Sequence, residues 1–70
     1  MIPLASADPG KDNVIKRVGG NPEVKRHLEN LGFTPGGIVT LISSLGGNVI
    51  VKVKESRIAL DEEMAKKVMV

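Results

Sequence analysis

The sequence predicts a mainly β protein: a small, strongly bent barrel of about five short strands, with a helix inserted after the first and a short helical turn near the C-terminus. Three observations carry that expectation. Val49-Ile50-Val51-Lys52-Val53-Lys54 alternates with the period of a strand that buries one face. The stretch Arg26–Leu41 reads as a helix that stops at a glycine, turns once and feeds a β-branched strand. Five short strands must also avoid open edges, and a chain of 70 residues does so most simply by closing on itself. That length makes one domain, residues 1–70, with a thin core.

Residues 3–13 are rich in turn formers (Pro3, Asp8, Pro9, Gly10, Asp12, Asn13) and predict an irregular lead-in. Val14-Ile15-Lys16-Arg17-Val18 follows as the first strand, ended by Gly19-Gly20. Asn21-Pro22-Glu23 then starts a helix. Asn accepts orphan N–H groups, Pro presets helical φ, and Glu lies in the positive field of the first turn. Val24, Leu28 and Leu31 form one apolar stripe, Gly32 fits the left-handed stop, and Pro35 bars continuation.

Gly37–Leu45 is the second strand and Gly46-Gly47-Asn48 a turn tolerant of positive φ. The third strand places Val49, Val51 and Val53 on one face and Ile50, Lys52 and Lys54 on the other. After a turn near Glu55-Ser56, Arg57–Leu60 is the fourth. Asp61–Lys67 forms a brief helix capped by Asp61, with acids first and lysines last as the helix dipole prefers. Val68–Val70 ends the chain as a short strand.

Composition narrows the function. There is no cysteine, which excludes disulfides, thiolate metal sites and cysteine nucleophiles. That fits a reducing cytoplasm. The N-terminus lacks a basic region followed by an apolar one, so no signal peptide is expected, and no apolar run is long enough to span a bilayer. Net charge is only +2 and Phe33 is the only aromatic residue, too little charge and too few stacking surfaces for a nucleic-acid binder. No phosphate loop, HExxH or GxSxG motif occurs, and the serines lack a base. An enzyme is not expected.

Two constellations remain. Glu23 and His27 are one helical turn apart and offer a carboxylate and an imidazole to iron or zinc, yet two ligands need partners from elsewhere. Lys52 and Lys54, with Arg57, put positive charge on the outer sheet face around the apolar Ile50. An apolar residue rimmed by charge is a mark of partner contact. Asp61-Glu62-Glu63 is explained by its place in the first helical turn.

The pattern Arg26-x-Leu28-x-x-Leu31-Gly32-Phe33-x-Pro35-Gly36-x-x-Val39-x-Leu41 resembles the signature of the FeoA family, small cytoplasmic proteins of bacterial ferrous-iron uptake. Pro9-Gly10 with Val14–Val18, the hairpin Gly46–Val53, and Ile58-Ala59-Leu60 with Ala65 and Val70 extend the likeness over nearly the whole chain. The resemblance implies an SH3-like barrel and a cytoplasmic accessory protein that binds and modulates a FeoB-type transporter, reaching the membrane only through that partner. SH3-like barrels bind through loops and an outer sheet surface, which points to Gly47, Asn48, Ile50, Lys52 and Lys54. The rival readings are a metal-binding or metal-sensing module at Glu23 and His27, and a nucleic-acid-binding small barrel.

Overall fold

Short β-branched stretches separated by turns and two helices pair with one another, three of them with their neighbours in sequence and the others with distant partners. In the computed structural model of the chain, which describes Met1–Val70, they do so as two antiparallel sheets. Strands β1 (Asp12–Val14), β3 (Ile38–Leu45), β4 (Asn48–Val53) and β5 (Ser56–Asp61) form a four-stranded sheet in the order β1-β3-β4-β5. Strands β2 (Arg17–Val18) and β6 (Val68–Met69) form a separate ribbon. Helix α1 (Pro22–Leu31) lies between β2 and β3, and α2 (Glu62–Ala65) between β5 and β6.

The mainly β expectation holds, with one change: hydrogen bonding does not run around a closed barrel. The expected first strand, Val14–Val18, divides at Ile15. Its N-terminal part pairs with β3 and its C-terminal part with β6. At the divide Ile15 donates to the Gly37 carbonyl and accepts from Gly36 N–H, both at 2.8 Å, while Lys16 N–H donates to Met69 O at 2.8 Å. The backbone groups are satisfied on two sides, and Ile15 itself is buried.

The lead-in is also more ordered than its turn formers imply. Leu4–Ser6 is a 3₁₀ turn, Leu4 and Ala7 enter the core, and Ile2 exchanges two 2.8 Å hydrogen bonds with Val70. Apolar burial at Leu4 outweighs the local preference for loop.

Helix α1 begins and ends as its residues dictate. Asn21 Oδ1 accepts from Val24 N–H at 2.8 Å. Gly32 takes φ +109°, its N–H bonds to Glu29 O, and Phe33 N–H bonds to Leu28 O. That pair of bonds is the Schellman stop, and its usual apolar contact is matched by Leu28 and Phe33, both fully buried in the same cluster. Val24 and Leu31 are only half-buried: α1 crosses beside β2 instead of lying flat on the sheet.

A Cβ built on Gly32 meets only Lys54 and Val53 side-chain carbons at 3.7–3.8 Å, so space does not limit this position. Its positive φ does. Gly32→Ala is therefore expected to cost about 1 kcal/mol, the backbone penalty alone, read as a shifted urea midpoint at unchanged m-value.

Fifteen buried apolar residues make one core, and none of the fully buried residues is polar or charged. Val39 and Leu41 from β3, Val49, Val51 and Val53 from β4, and Leu60 from β5 line its sheet side. Between Leu41 and Ser43 the register slips, leaving Ile42 as an extra residue that bends β3. The hairpin loop is the two residues Gly46-Gly47, at φ +58° and +83°, and Asn48 already pairs with Leu45. Positive φ at both loop residues matches the twist of the flanking strands. Lys54 likewise belongs to a turn: it sits at φ +55° between Val53 and Ser56, which pair directly.

Candidate partner-binding face

With Val49, Val51 and Val53 committed to the core, the pleat of β4 turns Asn48, Ile50 and Lys52 outward. Each meets fixed neighbours. Asn48 lies between Leu45 and Asp61, Ile50 between Ser43 and Ala59, and Lys52 between Thr40 and Arg57. Beyond Thr40 comes Asp12, so one row across the sheet reads Asp12, Thr40, Lys52, Arg57.

A shallow open cleft of about 220 Å³ lies here, lined by Asp12, Ile38, Thr40, Lys52 and Lys54. Its only carboxylate is already engaged: Thr40 Oγ1 donates to Asp12 Oδ1 at 2.6 Å. The ion pairs of the protein are Lys11–Asp8 and Lys66 with Glu62 and Glu63, all elsewhere. Lys52, Lys54 and Arg57 thus present positive charge with no anion in ion-pairing reach, and Lys52 stands directly opposite Arg57, a repulsive pair.

Apolar surface adjoins that charge. Val14 and Ile38 are directly paired and stand 48% and 49% exposed. At the hairpin tip Leu45 is 79% exposed, beside Gly46, Gly47 and Asn48. Of the residues expected from the sequence, Ile50, Lys52 and Asn48 share this face, Gly47 forms its tip, and Lys54 borders it from the β4–β5 turn. Val14, Ile38 and Leu45 were not legible as part of it. The face as a whole suits a partner carrying carboxylates around an apolar centre.

Glu23 and His27 lie elsewhere, both exposed on α1, and make neither a hydrogen bond nor an ion pair with each other. No group of three His, Asp or Glu side chains is placed to hold a metal ion. Two ligands on one helical turn do not furnish the four that zinc takes in a structural site. Zinc(II) added to the free chain is expected to bind Glu23 and His27 no tighter than about millimolar, judged by the His27 ring resonances. Saturation at micromolar metal would favour the metal-module reading.

The geometry defines a small SH3-like module whose available surface is a basic and apolar sheet face. Its relatives say which one. The model of the FeoA domain matches residues 2–70, and the chain belongs to the FeoA family, accessory proteins of ferrous-iron transport. It is 31% identical over 70 residues to a Methanocaldococcus jannaschii protein bearing the name Fe(2+) transport protein A, covering 100% of this chain and 85% of that one.

Solved structures agree. An iron uptake regulatory protein (FeoA) superposes at a TM-score of 0.85 with 27% identity, over 96% of this chain and 89% of that one. Stenotrophomonas maltophilia FeoA, an SH3-domain protein solved with zinc, superposes at 0.80 with 29% identity, over 94% and 85% of the two chains.

Proposed function

We propose that this protein is a cytoplasmic, non-enzymatic accessory subunit that docks on the cytoplasmic part of a FeoB-type ferrous-iron transporter and adjusts its transport or nucleotide turnover. The observation that carries the reading is the cluster of unpaired cations, Lys52, Lys54 and Arg57, around half-exposed apolar residues on the outer sheet face. Membership in a ferrous-iron transport family supplies the setting. The Stenotrophomonas maltophilia relative is itself described as a candidate ferrous iron transport activating factor, which supports the same direction. No helix of the chain is long and apolar enough to cross a membrane, so contact with the bilayer would come through the partner.

Attraction between a basic face and an acidic one speeds encounter and weakens as salt screens it. Titration calorimetry with the cognate transporter's soluble cytoplasmic part should therefore show one-to-one binding that loses affinity between low and moderate salt. Absence of binding at both salt concentrations would overturn the proposal.

A further inference from the structure

Strand β5, six residues long, is the longest edge strand in the protein. β5 ends the four-stranded sheet, and its far side meets no other strand. The hydrogen-bonding parity of that edge follows from the hairpins. A two-residue loop is closed by a pair that exchanges both backbone bonds, here Leu45 with Asn48 and Val53 with Ser56. Alternation then aims the backbone groups of Ser56, Ile58 and Leu60 at β4, and those of Arg57, Ala59 and Asp61 away from the sheet. None of these three bonds to another loop or segment, although the Asp61 carbonyl begins α2. All three residues are exposed.

This edge has no proline, glycine or bulge, the usual means of blunting one. Its only charges are Arg57 and Asp61, of opposite sign, placed symmetrically about Ala59. Arg57 faces Lys52 within its own chain and has no anion. Asp61 uses Oδ1 to cap α2, accepting from Met64 N–H at 2.7 Å, and keeps its second oxygen free.

We propose that β5 is a homodimerisation strand: two copies pair antiparallel through their β5 edges about a twofold axis at Ala59. In that register Ala59 meets its twin, Ile58 meets Leu60 of the other copy, and each Arg57 lies opposite an Asp61. The two Ala59 residues exchange a pair of backbone bonds, and each Asp61 N–H donates to the carbonyl of the opposite Arg57. The two salt bridges then relieve the repulsion between Lys52 and Arg57. A twofold interface must be complementary to itself, and this strand is.

Sedimentation velocity from about 20 μM to about 1 mM, a range suited to weak association, should show a monomer–dimer equilibrium. Ala59→Pro removes the central outward donor at a position where an edge strand tolerates proline, and should leave a folded monomer at every concentration. Arg57→Asp places like charges opposite each other at both ends and should raise the dimer Kd about tenfold.

The decisive arm mixes Arg57→Asp with Asp61→Arg. Each variant opposes like charges in its own homodimer, while the mixed pair opposes unlike ones, so the mixture should associate more tightly than either alone. In native protein the amide protons of Ala59 and Asp61 should gain exchange protection with concentration. A monomer at about 1 mM, or a dimer indifferent to Ala59→Pro while the fold persists, would overturn the inference. So would a mixture no tighter than its components. Edge pairing with an extended segment of another protein would show as a monomer alone whose Ala59 amide is protected only in the complex.

Discussion

Phe33→Ala is expected to strip the protein of nearly all its stability, leaving a large unfolded population at room temperature. Phe33 is fully buried, is the only aromatic side chain, and follows directly on the Gly32 stop of α1. Truncating a buried phenylalanine costs about 3–5 kcal/mol, the transferred ring plus the cavity left behind. A domain of this size holds only about 3–5 kcal/mol in total. The two quantities are comparable, so one substitution leaves almost no net stability and the unfolded population becomes at least comparable to the folded one. Far-ultraviolet circular dichroism and urea titration measure this directly, and Phe33→Leu should keep a cooperative transition at a lower midpoint. A Phe33→Ala protein with a near-native midpoint would show that the core does not depend on the ring.

The second large effect falls on binding and spares the fold. Reversing Lys52 and Lys54 together, Lys52→Glu with Lys54→Glu, should raise the Kd for the transporter's cytoplasmic part about tenfold or more and flatten its salt dependence. Stability should hold or rise. The carboxylate introduced at position 52 would stand opposite Arg57 where a like-charge pair now stands, worth about 0.2–1 kcal/mol in the folded state. At the turn, where Lys54 has φ +55°, glutamate meets the same backbone strain as lysine. Loss of binding together with retained stability cannot be ascribed to unfolding. Unchanged affinity in this variant would remove the basic face from the interface.

Most of the fold was legible because its signals are local. The Asn21 cap, the Gly32 stop, the glycine loop and the alternation through β4 are each decided by residues within a few positions of one another. The places where reading failed are those where a distant partner decides. Ile15 belongs to both sheets because Gly36 and Gly37 approach from one side and Met69 follows on the other, and no property of Val14–Val18 announces it.

The outer face shows the same division. Strict alternation from Val39 and Leu41 would send Leu45 into the core. The extra residue at Ile42 shifts the parity, so Leu45 emerges beside Asn48 at the hairpin tip. Val14 and Ile38 were hidden for a related reason. Ile38 opens the nearly continuous apolar run Ile38–Ile42 and Val14 stands in the two-residue run Val14-Ile15; neither pattern says which side of the sheet is solvated.

By itself the sequence determined the order of elements from α1 to β6, the N-caps of both helices, the inner face of β4, and a family pattern spread over almost the whole chain. Each is carried by short-range backbone preference or by residue identity, which the sequence states outright. Only the tertiary structure decided that the barrel stays open as a sheet and a ribbon, that Lys52, Lys54 and Arg57 are left without carboxylates, and that Glu23 and His27 acquire no third ligand. Those are questions of which distant residues become neighbours, and they are answered by register and burial, by how a thin core closes over strands that one bulge has bent.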